Sequence, residues 1–246
     1  MLKQVLVLAL PALSAAISPA LAVEIKVLSG AAVEPGLVVA AEAFRKQTGN
    51  SVKITFATTP EIRRRVGAGE TTDVVIAPPA ALDELAKSGK VDGTALVPVG
   101  RVGVGVVIRE GAPKPDISTT DALKRAVLDA DSVIYNRASS GLFVEGLLQR
   151  LGLAEQIQAK TKRYAGTDMI EPLISGKSKE IGFMPVAEIL YFRGRGLLLV
   201  GPLPADIQHY TSYAAEPGSK SEVALAFVRF LGTPVAKGIF VTAGVE

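Results

Sequence analysis

Apolar residues recur along this chain in two alternating rhythms. Short β-branched runs are followed by stretches with apolar positions at helical spacing, the pattern of an α/β fold with parallel strands. Val23 to Leu28 alternates as a strand, and Leu37 to Gln47 reads as a helix stopped by Gly49 and Asn50. Val52 to Phe56 is a strand. Pro60 to Val66 is a helix with Pro60 and Glu61 in its first turn, where both are favoured. Asp73 to Ala77 reads as a short buried strand and Ala80 to Lys87 as a helix. Val97 to Arg109 is a long apolar run broken by Gly100, Gly103 and Gly105, and Asp121 to Asp129 is helical.

A second set follows: strand Ser132 to Tyr135, helix Leu142 to Leu151, helix Thr167 to Ile174, strand Glu180 to Met184, helix Val186 to Phe192 and strand Leu197 to Val200. Ile207 to Ala214 alternates as a returning strand, and Ser221 to Leu231 and Pro234 to Val241 are helices. The glycine-interrupted run at residues 97–109 and the proline-rich stretch Gly201 to Asp206 predict two crossings between lobes. The expected organisation is residues 23–100 with 207–246 as one lobe and 101–206 as the other, with a ligand cleft between them.

The N-terminus reads as an address rather than as part of the fold. Lys3 supplies a positive start, Val5 to Ile17 is apolar apart from Ser14, and Ala20-Leu21-Ala22 has the small-x-small form of a cleavage site. The apolar run is shorter than the ~20 residues a membrane span needs. Residues 1–22 are therefore expected to be a cleavable signal peptide, and the rest to be exported, to the periplasm if the source is Gram-negative.

Composition narrows the chemistry. The 246 residues contain no cysteine and one histidine, His209. Disulfides, thiolate metal sites and cysteine nucleophiles are excluded, as is a histidine-rich metal site. A hydrophobic fraction of 48% with a net charge of only +3 argues against disorder and gives no sign of a nucleic-acid partner. Neither a cofactor nor a metal is expected. No clustered carboxylates stand at the candidate loops, so no catalytic constellation is expected and the chain reads as a binding protein, not an enzyme.

Three strand ends run through small polar residues into a helix: Leu28 to Ala32, Phe56 to Pro60, and Asn136 to Gly141. Helix N-termini present free N–H groups and a positive dipole end, and Ser and Thr hydroxyls add uncharged donors. Together these loops predict an anion site built from Gly30, Ala31, Ala32, Thr58, Thr59, Ser139 and Ser140. Arg137 is either a bidentate grip on a carboxylate or a solvated loop residue. Glu34 is expected to support its own helix start, and would oppose an anion if it pointed inward. Arg63, Arg64 and Arg65 are expected mostly at the surface, with one at most reaching the cleft. His209, Tyr210 and Tyr213 are expected to be structural.

At these loops the chain resembles the periplasmic molybdate-binding protein family, a branch of the bacterial solute-binding proteins. The likeness is clearest in FATTPEIRRRVGAGETTDVVIAPP (residues 56–79), SSGLFVEGLLQRLGL (139–153) and AFVRFLGTPVAKGIFVTAGVE (226–246). The resemblance implies a type II periplasmic binding fold: two α/β lobes with two crossings, closing over an oxyanion and delivering it to an ABC permease, with the protein a monomer. It carries the family's first-loop serine to Ala32 and its second-loop serines to Thr58 and Thr59. The third-loop small residue falls on Ser140, a backbone contact on Met169, and the cleft tyrosine on Pro185. Ala32 and Pro185 lack the family's hydroxyls, so a small organic acid stands beside a molybdate-like oxyanion as the expected ligand. A periplasmic sensor for a membrane receptor is the alternative to a transport partner.

Overall fold

The computed structural model describes residues 22–246. Apart from Ala22, the segment expected to be a signal peptide lies outside the described residues.

In the first half, β1 (Glu24–Gly30) leads through a 3₁₀ turn at Ala31–Val33 into α1 (Glu34–Thr48). Gly49 ends that helix in the left-handed region (φ 78°), the conformation glycine reaches without a Cβ clash. Then come β2 (Ser51–Ala57), α2 (Thr59–Gly67), β3 (Val74–Ala77) and α3 (Pro79–Lys87). β1 pairs in parallel with β2 on one side and β3 on the other.

β4 (Val97–Arg109) is one continuous 13-residue strand. The second half holds α4 (Thr120–Asp129), β5 (Ser132–Asn136), α5 (Ser139–Arg150), α6 (Ala154–Ile157), β6 (Thr161–Tyr164) and α7 (Ile170–Ser175). It closes with β7 (Glu180–Pro185), α8 (Val186–Tyr191) and β8 (Leu197–Pro202). The chain then returns through β9 (Tyr210–Pro217) to α9 (Glu222–Leu231) and α10 (Pro234–Thr242).

The strand order is β2-β1-β3-β9-β4-β7-β5-β6, with β8 also on β4. β4 joins the halves: Val97 to Gly103 pair with β9, Val104 to Val107 with β7, and Gly105 to Arg109 with β8. Val102 packs into a core with Val27, Leu37, Phe44 and Phe227, whereas Val104 packs with Val133, Leu147 and Phe183. The change of core along β4 therefore falls at Gly103. On the return, Leu203 and Ile207 pack with the second core and Tyr213 with the first.

Six elements differ from the sequence reading. α1 begins at Glu34 rather than Leu37, and α5 at Ser139 rather than Leu142. The returning strand starts at Tyr210 rather than Ile207, because the Gln208 side chain occupies the backbone of Val104 that a longer strand would pair with. Gln208 Nε2 donates to Val104 O at 3.0 Å and its Oε1 accepts from Val104 N at 3.1 Å. The helix expected over residues 167–174 splits into a 3₁₀ turn (Gly166–Met169) and α7; Pro172 has no N–H with which to continue a helix from Asp168. β6 and α6 were absent from the reading. The sequence TKRY of β6 has no apolar alternation, and α6 is a single turn.

Candidate functional site

The parallel strands β1, β2, β5 and β7 all end at one cleft, where ligands of α/β folds bind. The cleft has a volume of about 310 Å³ and lies between the two halves. Gly30, Ala31, Ala32, Thr58, Thr59, Ser139, Ser140 and Pro185 line it, as the sequence predicted, together with Val102, Gly103 and Val104 of the crossing strand.

The two helix starts that face the cleft are not equivalent. Thr58 caps α2, its Oγ1 accepting the Glu61 N–H at 3.4 Å. The cap position of α5 is Ala138, which has no side-chain acceptor. The buried Asn136 at the end of β5 turns back instead. Its Oδ1 accepts the Ala138 N–H at 3.0 Å and the Ser140 hydroxyl at 3.5 Å. The first N–H groups inside α5 therefore have no capping side chain and open beside Ser139 and Ser140. Asn136 was within a predicted loop but was not singled out as a site residue.

Two predicted site residues stand elsewhere. Arg137 is exposed and outside the cleft lining. Its N–H donates to Tyr164 O at 2.9 Å, continuing the β5–β6 pairing. Met169, expected to offer a backbone contact, has its side chain buried among Ile134, Leu173 and Met184, and Gly166 and Thr167 just before it line the cleft. The arginines of α2 are spent on surface partners. Arg63 pairs with Glu84 at 3.0 Å, Arg64 with Glu61 at 2.7 Å and Arg65 with Glu70 at 2.5 Å, and none lines the cleft.

The largest departure is acidic. Glu34 and Glu188 both line the cleft, while among the described residues no Lys, Arg or His does. The sequence reading found no clustered carboxylates because these two lie far apart in the chain, on α1 and α8. Burial raises the Glu34 carboxyl above its ordinary range. Glu188 is pushed up to about 7, by burial first and by the charge of Glu34 second. Tyr213, on β9, also faces the cleft; burial and the charge of Glu188 push its phenol well above the usual range. Glu188 was legible in one respect, as the lone acid in the apolar run VAEIL.

The comparisons agree with this architecture. The sequence profile of the bacterial extracellular solute-binding proteins matches residues 25–246. The chain belongs to that family. Its fold is that of the periplasmic binding proteins. The periplasmic molybdate-binding protein of Azotobacter vinelandii superposes with a TM-score of 0.73 over 90% of this chain and 98% of its own, at 19% identity. The sulfate-binding protein SubI of Mycobacterium tuberculosis superposes with a TM-score of 0.71 over 91% and 86%, at 21% identity. In sequence, the chain is 31% identical to an aconitate isomerase of a Pseudomonas species, over 97% of this chain and 95% of that one.

Proposed function

We propose that this protein is an exported, monomeric solute-binding protein that takes a small organic polycarboxylate of the aconitate kind into the cleft. It presents that ligand to an ABC permease in the inner membrane. The observation that carries the choice of ligand is the two-sided lining. The uncapped start of α5 and the hydroxyls of Thr58, Thr59, Ser139 and Ser140 suit carboxylate oxygens. Phe56, Ala57, Val102 and Val104 supply apolar wall for a carbon skeleton, which a bare oxyanion lacks. Ala32 and Pro185 add no hydroxyl there, and the aconitate isomerase relative supports the same ligand class.

The ligand is gripped from both halves, Gly30 to Ala32 with Thr58 and Thr59 on one side and Ser139 with Ser140 on the other. Residues 23–100 with 207–246 and residues 101–206 act as lobes. A ligand touching both favours the closed arrangement, because it binds that arrangement more tightly than the open one.

A second reading, a molybdate-like oxyanion, is favoured by the hydroxyls kept at Thr58, Thr59 and Ser140. A thermal-shift panel of cis- and trans-aconitate, tricarballylate, citrate, molybdate, tungstate, sulfate and phosphate separates the two. Ligand at 100 times its Kd adds about 2.7 kcal/mol, a rise of roughly 5–10 °C for a chain of this size. Shifts with the polycarboxylates and none with molybdate support the proposal. Shifts with molybdate and tungstate alone overturn it in favour of the oxyanion.

A further inference from the structure

The two helix starts at the cleft treat their own free N–H groups differently, and Asn136 makes the difference. An ordinary capping side chain puts an acceptor in front of those groups, as Thr58 does for α2. An incoming anion has to displace it. At α5 the cap position is Ala138, and the acceptor that Asn136 offers is turned back onto the Ala138 N–H at 3.0 Å.

That bond fixes which way round the amide lies. A backbone N–H needs an acceptor, so the atom facing Ala138 is the carbonyl oxygen Oδ1, and Nδ2 takes the other position. The Ser140 hydroxyl bonds the same oxygen at 3.5 Å. Packing holds the side chain in place. It is 3% exposed, and the first turn of α5 lies so close that a Cβ on Gly141 would fall 2.7 Å from Oδ1.

Nδ2 is the part of this side chain left over. Among the described residues it donates to no protein acceptor, the bonds of the Asn136 side chain both being made by Oδ1. Nor is it sealed in: among the described residues, the fully covered side-chain atoms without a partner are Nε of Arg109 and Nε of Arg163. Asn136 lines the cleft, so the small surface its amide nitrogen keeps opens there, beside Ser139, Ser140, Gly166 and Thr167. A buried donor with nothing to donate to is unfavourable, and such groups are met by water or by a ligand.

We infer that Asn136 is a ligand-binding residue whose amide nitrogen donates a hydrogen bond to a carboxylate oxygen of the bound acid, so that the ligand itself caps α5. One side chain then has two effects on the same spot. Its oxygen leaves the first N–H groups of α5 open, and its nitrogen adds a donor next to them. Nδ2 brings hydrogens and no acceptor, so it selects for an acceptor. A carboxylate suits it, and an ammonium group does not. A charged acceptor makes the stronger bond. The inference rests on the polycarboxylate reading above and adds to it the place where one carboxylate is held.

The chain contains two asparagines, Asn50 and Asn136, so protein labelled with ¹⁵N at asparagine shows two pairs of side-chain amide protons. Asn50 stands outside the cleft lining, its Oδ1 accepting the Val23 N–H at 2.9 Å, and serves as internal reference. The probe is tricarballylate, titrated by NMR with calorimetry in parallel to report binding. At saturation the Asn136 pair is expected to move downfield and to exchange with water more slowly, while the Asn50 pair stays in place. Asn136→Asp keeps an acceptor for the Ala138 N–H but puts a carboxylate oxygen where the donor was, and its spectrum identifies the Asn136 pair by loss. That variant is expected to melt near the wild-type temperature without ligand. Its tricarballylate binding should weaken by about 100-fold, through loss of a hydrogen bond to a charged group and repulsion by the new charge. If the variant fails to fold, the wild-type titration decides alone. Tricarballylate that binds without moving the Asn136 signals overturns the inference and leaves the polycarboxylate reading standing. An Asn136→Asp variant that binds as tightly as wild type overturns it equally. Absence of binding to tricarballylate and to both aconitates removes the reading underneath it, and the inference with it.

Discussion

The ring of Tyr213 packs directly against the backbone of Gly30. A Cβ built on that glycine would stand 2.6 Å from Tyr213 Cε1 and 3.3 Å from Cδ1. Gly30 ends β1 and begins the first cleft loop, so the contact sets the positions of that loop and of the Tyr213 phenol together. Gly30→Ala is expected to push the ring aside and to destabilise the protein by about 1–3 kcal/mol, the usual cost of overpacking. Chemical denaturation measures that loss. Tyr213→Ala in the same chain should remove most of the extra cost, because the clash has only one partner, and a double-mutant cycle would read the coupling.

Glu188 gives folding stability a pH dependence of definite sign. Its carboxyl titrates near 4.5 when unfolded and at about 7 in the folded chain. Between those values the folded state holds a proton that the unfolded state has released, so stability is greatest below about pH 4.5 and falls as pH rises through 7. At about 1.4 kcal/mol per pH unit, that interval amounts to roughly 3 kcal/mol. The raised carboxyls of Glu34 and Glu216 act in the same direction. Glu188→Gln, which cannot ionise, is expected to flatten this part of the profile. Urea denaturation of both proteins at pH 5 and pH 8 checks it. The stability difference between them should favour the variant by more at pH 8 than at pH 5.

The first turn of α5 is laid directly on the end of β5. A Cβ at Gly141 would fall 1.7 Å from Asn136 O and 2.7 Å from its Oδ1. Neither backbone can yield without moving Asn136, whose Oδ1 holds Ala138 and Ser140. Gly141→Ala is expected to cost about 3 kcal/mol or more. It should also abolish ligand-induced thermal shifts where the protein still folds, since it displaces Ser139 and Ser140. Gly146→Ala, on the same helix with Arg150 Nη1 at 3.5 Å as its only near neighbour, is the control and is expected to be tolerated.

What the sequence made legible follows from the range of each signal. Periodicity and turn residues act within a few positions, and β1, β2, α2 and β5 all lie within two residues of where those signals put them. The three cleft loops were visible because strand end, small polar residues and helix start are contiguous. On the acidic side of the cleft, Glu34 was in view as a residue that would oppose an anion if it pointed inward, but Glu188 was not, because the two are brought together only by the packing of α8 between the halves. Arg137 stayed open between a grip on the ligand and a solvated loop residue for a related reason. Its place in a cleft loop is a local fact, whereas its exposure is set by the tertiary structure around it, including the pairing of Arg137 N–H with Tyr164 in β6, a strand too polar to be seen in advance.

The return crossing is fastened by a side chain acting as a strand. Gln208 places its amide against Val104 as a backbone peptide would, donating to Val104 O at 3.0 Å and accepting from Val104 N at 3.1 Å. Val104 N also donates to His209 O at 3.2 Å, and Val104 O also accepts from Leu203 N at 3.1 Å. Both crossings are thus tied at the residue next to Gly103, where the core changes. Gln208→Ala removes both side-chain bonds while leaving the two longer backbone bonds in place. At about 0.5–1.5 kcal/mol for each hydrogen bond, the expected loss is roughly 1–3 kcal/mol. The effect should be local, because the cores on either side are untouched. Hydrogen exchange at the Val104 amide is expected to quicken markedly, while amides in β1 and β5 keep their protection. If the tie also limits lobe motion, ligand affinity shifts with it. A variant in which β1 and β5 lose protection equally with Val104 would show that Gln208 supports the whole fold and not the crossing.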